Sequence, residues 1–354
     1  MADVERVHSQ MLAWIFGATV LSSAQKSKIL SELTGHAGEY AVRQVSTEHD
    51  HIDVLIETEA AIIAIENKIK ITEHDEQLAR YEQSLANHIL PRHYVYLSLL
   101  PEAITNSRWT VKSYTELHSA LVRHAFASPR DFDEHAFNEY VEAVAHLTHV
   151  VALFDVDHRQ FPNVFTDGSL KKREKLVRVS EYTTAQNYVR ANQLETALQR
   201  HFLGKVRSQI LPSSGMSRIS ETRGLALLHV VIASRSIKGM IFEWAVQFQG
   251  NTVKLNCYAR DYEKSTFQQL PSEVMADFKA LQTEHGLRGP NPGRTKAYVS
   301  LSKKLNFAWS DTFAKIVEAH ASAHAELSGL AWSMAMAHGV EVASLPNPSA
   351  PIQA

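Results

Sequence analysis

Glu66 and Lys68 stand two residues apart at the end of an apolar run, AIIAIENKIKI, which covers residues 61–71. In a β-strand, side chains two positions apart project from the same face, so this carboxylate and this ammonium group point the same way. A carboxylate in a buried strand is costly unless a cation or hydrogen bonds compensate its charge. The pattern therefore indicates either an ion pair that serves the fold or a site that binds a cation.

A second carboxylate, Asp53, lies in the preceding apolar run, HIDVLIE. Only the tripeptide TEA separates the two runs, a length that suits a β-hairpin, so Asp53 and Glu66 would converge at one end of a sheet. Two acidic oxygens with a nearby backbone carbonyl form a site for a hard cation, and Mg²⁺ is favoured because it uses few protein carboxylates. Lys68 beside such a site could orient a water or stabilise charge on a phosphoryl group.

The predicted elements place these residues on a sheet. An amphipathic helix near the N-terminus is followed by three strand-like runs, a helix with its apolar residues on one face, and a fourth strand. This order of helix, three strands, helix and strand predicts an α/β sandwich, in which the last strand reaches the sheet through a crossover. A short strand, a helix and a long helix follow, and they would close a first domain at residue 155.

The acidic residues and the order of elements resemble the PD-(D/E)XK nuclease superfamily, whose signature is an acidic residue on one strand and E-x-K on the next. The stretch IDVLIE…AIIAIENKI, followed by EHDEQLARY, resembles in particular a bacterial and phage-type branch. This resemblance covers residues 1–155 and implies a restriction-endonuclease-like α-β-β-β-α-β core with a mixed central sheet. The proline of the "PD" pair is absent, since Ile52 precedes Asp53.

The resemblance also implies roles for single residues. Asp53 and Glu66 match the metal ligands, the backbone carbonyl of Asn67 would complete the metal shell, and Lys68 matches the catalytic lysine. In the implied mechanism, Mg²⁺ held by the two carboxylates binds the scissile phosphate while Lys68 helps to activate the attacking water. Mn²⁺ is expected to substitute for Mg²⁺.

Three further residues join the predicted site. Gln77 and Tyr81 are one helical turn apart and resemble the Q-x-x-x-Y motif of the exonuclease-like branch, where these groups help to place the substrate strand. Without the resemblance, Tyr81 would be a core aromatic and Gln77 a surface residue. Glu5 matches a glutamate that family members carry from the first helix into the metal site, although an acid is also favourable in any first helical turn.

The implied activity is that of a metal-dependent nuclease acting on nucleic acid, most readily DNA, in phage defence or in DNA repair and recombination. Two alternatives stay open at this point. One is a nucleic-acid-binding or regulatory protein that keeps the fold without cleavage. The other is an unrelated α/β protein in which the charged pair is only structural. The sequence distinguishes neither DNA from RNA nor an endonuclease from an exonuclease.

The second half of the chain has a different pattern. The segment DVDHRQFPNVFTDGS predicts a linker or long loop, and alternating helices and strands predict an α+β domain over residues 156–342, with a loop at GLRGPNPGRTK. This domain would bind DNA or dimerise, and residues 343–354 would form a flexible tail. A nuclease needs contacts to phosphates besides those that its metal makes. Five basic residues are predicted to make them, although they could also be merely solvated: Lys171, Lys172, Arg173, Arg294 and Lys296.

Composition excludes several classes of protein. With 354 residues, 45% of them hydrophobic, and a formal charge of −2, the chain is neither disordered nor uniformly basic. Its single cysteine, Cys257, excludes an internal disulfide and a Cys-based zinc ribbon, and fits a reducing cytoplasm. The apolar run MLAWIFGATVL lacks a basic flank and is too short for a bilayer, so no membrane segment is predicted. A homodimer is compatible with all of this.

Overall fold

The computed structural model describes residues 4–70, 75–101, 104, 106–166, 177–211, 216–222, 224–260, 270–292 and 297–341. The chain divides into two compact units, the first of which ends at Val156 while the second begins at Asp157. The first unit contains, in chain order, α1 (Val4–Gly17), α2 (Ser23–Thr34), β1 (Val42–His49), β2 (Ile52–Thr58), β3 (Ile62–Lys68), α3 (Asp75–Ser84), β4 (Arg92–Ser98), β5 (Trp109–Ser113), α4 (Tyr114–Val122) and α5 (Phe132–Val156).

The sheet of the first unit has five strands in the order β1-β2-β3-β4-β5. Strand β2 pairs antiparallel with both β1 and β3, whereas β4 runs parallel to β3 and β5 runs parallel to β4. Helix α3 makes the crossover between β3 and β4, as a parallel pair requires. The predicted mixed α/β class with a mixed sheet is confirmed. Helix α2, which begins with a capping box between Ser22 and Gln25, is absent from the sequence prediction.

Strand β3 is buried on both of its faces, which explains its nearly continuous apolar sequence. Ile62 and Ala64 join a core cluster with residues of α3, namely Leu78, Tyr81 and Leu85. The three α3 residues recur at helical spacing, so one stripe of that helix faces the sheet. Helix α1 contacts β1, β2 and β3. Glu66 and Asn67 thus end a strand whose surroundings are almost entirely apolar.

The second unit contains a 3₁₀ turn and five helices among its described residues, together with seven strands. Its sheet has the order β10-β11-β9-β8-β7-β12, with β6 paired to β7, and every pairing between these described strands is antiparallel. The elements are the 3₁₀ turn (His158–Gln160), α6 (Pro162–Thr166), α7 (Thr184–Ala191), α8 (Glu195–Ile210), β6 (Ser217–Thr222), β7 (Leu225–Ile237), β8 (Met240–Gln249), β9 (Thr252–Ala259), α9 (Ser272–His285), β10 (Arg288–Pro292), β11 (Tyr298–Lys304), α10 (Phe313–Ala337) and β12 (Val340–Glu341).

Two segments of the second unit differ from the sequence prediction. The segment expected to be a linker holds the 3₁₀ turn and helix α6, and the expected Gly/Pro loop includes edge strand β10. An edge strand tolerates proline because one of its sides needs no ladder hydrogen bond. The predicted tail, residues 343–354, lies outside the described residues. Within the described ranges, no helix combines the length and the apolarity that crossing a membrane would require.

Candidate active site

The register of the first hairpin brings Asp53 to the end of β3. Val54 lies opposite Ile65, so Asp53, one residue earlier, comes opposite Glu66 on the same face of the sheet. The Asp53 carboxylate accepts a hydrogen bond of 2.8 Å from the backbone N–H of Asn67. This bond fixes the first carboxylate against the strand that carries the second.

Glu66 is the most deeply buried charged group of the site, with a side chain only 1% exposed. Its Oε1 atom accepts from the Lys68 ammonium group and from Gln77 Nε2, the latter at 2.8 Å. Its Oε2 atom is buried and has no hydrogen-bond partner among the described residues. A buried oxygen without a partner is costly, and a cation would compensate for it.

The electrostatics of the site follow from several carboxylates around one ammonium group. Burial, reinforced by the neighbouring charge of Asp53 and opposed by Lys68, raises the pKa of Glu66 to about 8. Burial also raises the pKa of Asp53, against the hydrogen bond from Asn67 and the charge of Lys68. Burial alone would lower the pKa of Lys68, but Glu66 and Asp53 together raise it. The site therefore has an excess of acidic groups that favours a bound cation.

Glu5 of α1 reaches the end of β3. Its Oε1 atom accepts hydrogen bonds from the backbone N–H groups of Ile69 at 2.9 Å and Lys70 at 2.7 Å. Glu5 and Asp53 line an open cleft of about 280 Å³, together with Arg6, Ser9, Gln10, Thr47 and Glu48. The structure thus brings Glu5 to the same end of the sheet as Asp53 and Glu66. Its two hydrogen bonds hold the chain in place where β3 ends.

The side chain of Asn67 points to the opposite face of the sheet and joins β3 to two helices. Its Nδ2 atom donates to the backbone carbonyl of Glu5 and to Ser9 Oγ, both at 3.1 Å. Its Oδ1 atom accepts from the hydroxyl of Tyr114 at 2.6 Å. Sequence reasoning missed Ser9 and Tyr114. Ser9 follows Glu5 by one helical turn, which is a usable signal, whereas nothing near Tyr114 in the chain indicates its partner.

Gln77 and Tyr81 form a short hydrogen-bonded relay that ends on Glu66. Gln77 Nε2 donates both to Glu66 and to the Tyr81 hydroxyl, which in turn donates to the backbone carbonyl of His51 at 2.7 Å. Tyr81 also packs in the core cluster, whereas its role in placing a substrate strand stays a prediction. The relay occupies the Oε1 atom of Glu66, so Oε2 is the oxygen that stays available to a cation.

Among the described residues, no group of three or more His, Cys, Asp or Glu side chains is arranged to hold a metal ion. The candidate ligands are instead two carboxylates and a backbone carbonyl, which is compatible with Mg²⁺ because that ion commonly keeps several waters. The unpartnered Oε2 atom of Glu66 fits such an ion. The predicted phosphate contacts Lys171, Lys172, Arg173, Arg294 and Lys296 lie outside the described residues.

Replacing Asn67 by alanine is expected to lower the free energy of unfolding by about 2–4 kcal/mol, because it removes three hydrogen bonds and leaves the buried Tyr114 hydroxyl without its acceptor. Tyr114→Phe is the matched variant: it removes only one of these bonds and should cost about 1–2 kcal/mol. Urea denaturation of both proteins measures the difference. Equal stability of Asn67→Ala and the parent would show that the side chain does not secure β3.

Comparison with known proteins gives one match. Residues 1–142 match a family model described as the PD-(D/E)XK nuclease superfamily. The matched residues lie wholly within the first unit and include every residue of the candidate site described above. A search of curated proteins and a search of solved structures each returned no match.

Proposed function

We propose that this protein is a Mg²⁺-dependent nuclease that hydrolyses phosphodiester bonds of DNA, because residues 1–142 match the family model of the PD-(D/E)XK nuclease superfamily. The observation that carries the proposal is the convergence of Asp53, Glu66 and Lys68 at one sheet end, with one buried carboxylate oxygen left without a partner. A structural ion pair would need no such available oxygen, so the arrangement favours a bound cation.

Asp53, Glu66 and the backbone carbonyl of Asn67 would hold the metal ion, with Glu5 beside them at the mouth of the cleft. Mg²⁺, or Mn²⁺ in its place, supplies Lewis-acid activation of the scissile phosphate and neutralises charge on the leaving oxygen when it is bound. Gln77 positions Glu66 by holding its Oε1 atom, which would leave Oε2 to bind the ion.

Lys68 acts on the substrate in this proposal. Its ammonium group lies against Glu66 at the point where a phosphate would approach the two carboxylates. From there it donates hydrogen bonds to a phosphoryl oxygen and orients the attacking water, which stabilises the negative charge that develops in the transition state. An intact set of Asp53, Glu66 and Lys68 argues against a non-cleaving relative that only binds nucleic acid.

The biological role that we propose is phage defence, with DNA repair or recombination as the alternative. The resemblance of the Asp53 to Tyr81 region to a bacterial and phage-type branch supports it. A homodimer, a domain division at residue 155 and a DNA-binding role for the second unit stay predictions.

A cleavage assay tests the proposed function. The purified chain is incubated with linear, circular and single-stranded DNA, and with RNA of the same sequence, in Mg²⁺, in Mn²⁺ or in EDTA. We expect DNA cleavage that requires the metal and is lost in Asp53→Asn, because this variant removes one ligand charge. Asp50→Asn is the matched control, since Asp50 is an exposed acid three residues away.

Products from circular DNA would identify an endonuclease, and cleavage of linear DNA alone would identify an exonuclease. A folded parent protein that cleaves none of the substrates in either metal would contradict the proposal. Equal activity of Asp53→Asn and the parent would contradict the assigned ligand.

A further inference from the structure

The sheet of the second unit has two unlike faces. On one face, Trp244 stacks on His338 at the end of α10, and Phe248 packs against His320 within α10. Helix α8 approaches the same face, where Ile219 of β6 lies next to its Gly204. We call this the helix face. The strand positions that alternate with Trp244 and Phe248 form the other face, which also carries Leu227, Val231 and Ala245. We call it the polar face after the row of polar residues that crosses it.

One line of residues crosses six strands on the polar face. The registers place Arg218 opposite His229, His229 opposite Gln247, and Gln247 opposite Lys254. The registers also place Ser302 opposite Lys254, and Arg288 opposite Ser302. We call these six residues the cross-strand row. Since neighbouring strands lie about 4.8 Å apart, the row is roughly 24 Å long. Every side chain in it is polar.

The row carries three basic residues and no acidic one. Arg218 and Arg288 are exposed and Lys254 is partly buried. Among the described residues, none of the three lies within salt-bridge distance of a carboxylate. Burial lowers the pKa of Lys254, as expected for an ammonium group without an anionic neighbour. Lys304 adds a further exposed cation to the same face, two residues along β11 from Ser302 and opposite Thr252.

The polar face has a single carboxylate among its described strand positions, and that carboxylate is already neutralised. Glu243 accepts from Arg260 Nε at 2.6 Å and from the Tyr258 hydroxyl at 2.5 Å. Tyr258 also bonds His229 at 2.9 Å, across the small side chain of Ala245. Among the strand positions that the structure describes, this network leaves the cations of the row and Lys304 without a compensating acid on their own face.

We propose that the polar face of the second unit binds a nucleic-acid strand through its phosphates, with Arg218, Lys254 and Arg288 as the main contacts. A small anion would meet only one of these cations, because they stand about 14 Å and about 10 Å apart along the row. A ligand whose negative charge repeats along its length meets all three. The uncharged donors between them, such as Gln247 and Ser302, suit phosphate and sugar oxygens.

The cross-strand row belongs to the second unit, whereas the candidate active site belongs to the first. The proposal rests on the proposed function only for the choice of nucleic acid over other polyanions. Contacts to phosphates do not read sequence, so we expect similar affinity for unrelated sequences. A row of roughly 24 Å would contact a stretch of about seven nucleotides of the bound strand, because each nucleotide spans about 3.4 Å.

The test compares two triple variants of the full chain with equal changes in net charge. The row variant is Arg218→Gln, Lys254→Gln and Arg288→Gln. The control variant is Arg207→Gln, Lys238→Gln and Lys279→Gln, three exposed cations outside the row. Fluorescence anisotropy measures the binding of a labelled single-stranded DNA, its duplex and an RNA of the same sequence. EDTA is present throughout, and the salt concentration is varied.

We expect the row variant to bind at least one of these nucleic acids about 10-fold or more weakly, with its salt slope reduced by about 2 units for a single strand. The control variant should stay within about 2-fold of the parent. Equal losses in both variants, or no loss in the row variant, would overturn the proposal. So would a row variant that loses binding to poly-L-glutamate as strongly as to nucleic acid, since the partner would then be an acidic protein.

Two further outcomes separate this proposal from the nuclease proposal. A parent that binds through the row but cleaves nothing would overturn only the nuclease proposal. A parent that cleaves DNA, and whose row variant binds normally, would overturn only this one. Melting curves of both variants verify that the substitutions leave the second unit folded.

Discussion

Lys68→Ala is expected to reduce DNA cleavage by at least ~100-fold while Mg²⁺-dependent DNA binding persists. The variant removes the ammonium group that would stabilise the phosphoryl charge, but it leaves Asp53 and Glu66 to hold the ion. Single-turnover cleavage measures the first effect. Binding of a labelled duplex across a range of Mg²⁺ concentrations measures the second.

The first unit offers a matched control for this variant. Lys112 is also a strand lysine paired with a glutamate, Glu116, at 3.1 Å, and its side chain is 19% exposed compared with 13% for Lys68. Lys112→Ala should therefore cleave at the rate of the parent. If Lys68→Ala kept full activity, or if both lysine variants lost activity and stability in parallel, Lys68 would have no catalytic role.

Glu66→Gln is expected to abolish both Mg²⁺ binding and cleavage while leaving the stability of the metal-free protein within about 1 kcal/mol of the parent, or above it. Glutamine keeps the shape of the side chain and can still accept from Gln77 and Lys68. It removes the charge that attracts the ion, and it relieves the crowding of that charge against Asp53. Isothermal titration with Mg²⁺ and urea denaturation in EDTA measure the two effects.

A purely structural ion pair would give the opposite result. Removing one partner of a buried pair typically costs about 3–5 kcal/mol, whether or not a metal is present. Glu116→Gln is the control, because its carboxylate is paired with Lys112 but is half-exposed and lies outside the site. If the parent bound no Mg²⁺, and Glu66→Gln lost the same large amount of stability with and without Mg²⁺, the pair of Glu66 and Lys68 would have only a structural role.

The parts of the site that were predictable depend on short-range patterns. The two-residue period of a strand puts Glu66 and Lys68 on one face, and the short connection between β2 and β3 brings Asp53 opposite them. Helical spacing likewise puts Tyr81 in the stripe of α3 that faces the sheet. Each inference needs only residues that are close in the chain.

The parts that were missed depend on distant or weak signals. Helix α2 buries only a short apolar stripe, including Ile29 and Leu33, among many polar residues, so its pattern is faint. The bond between Tyr114 and Asn67 requires the parallel pairings of β4 and β5, which no local pattern specifies. The cross-strand row depends on the pairing registers of six strands. Its members are scattered between Arg218 and Ser302, and they form no motif in the sequence.

The hydrogen bond from Tyr114 to Asn67 has a consequence for the order in which the protein is made. The two residues are 47 positions apart, and Tyr114 is synthesised after Asn67. At about 5–20 residues per second, the ribosome needs roughly 2 to 9 s to add that stretch. During this interval the residues of β3 have already been synthesised, those of β4 and β5 are being added, and Tyr114 is still missing. A nascent chain therefore contains Glu5, Asp53, Glu66 and Lys68 before it contains Tyr114, whose hydrogen bond holds Asn67 of β3 against α4.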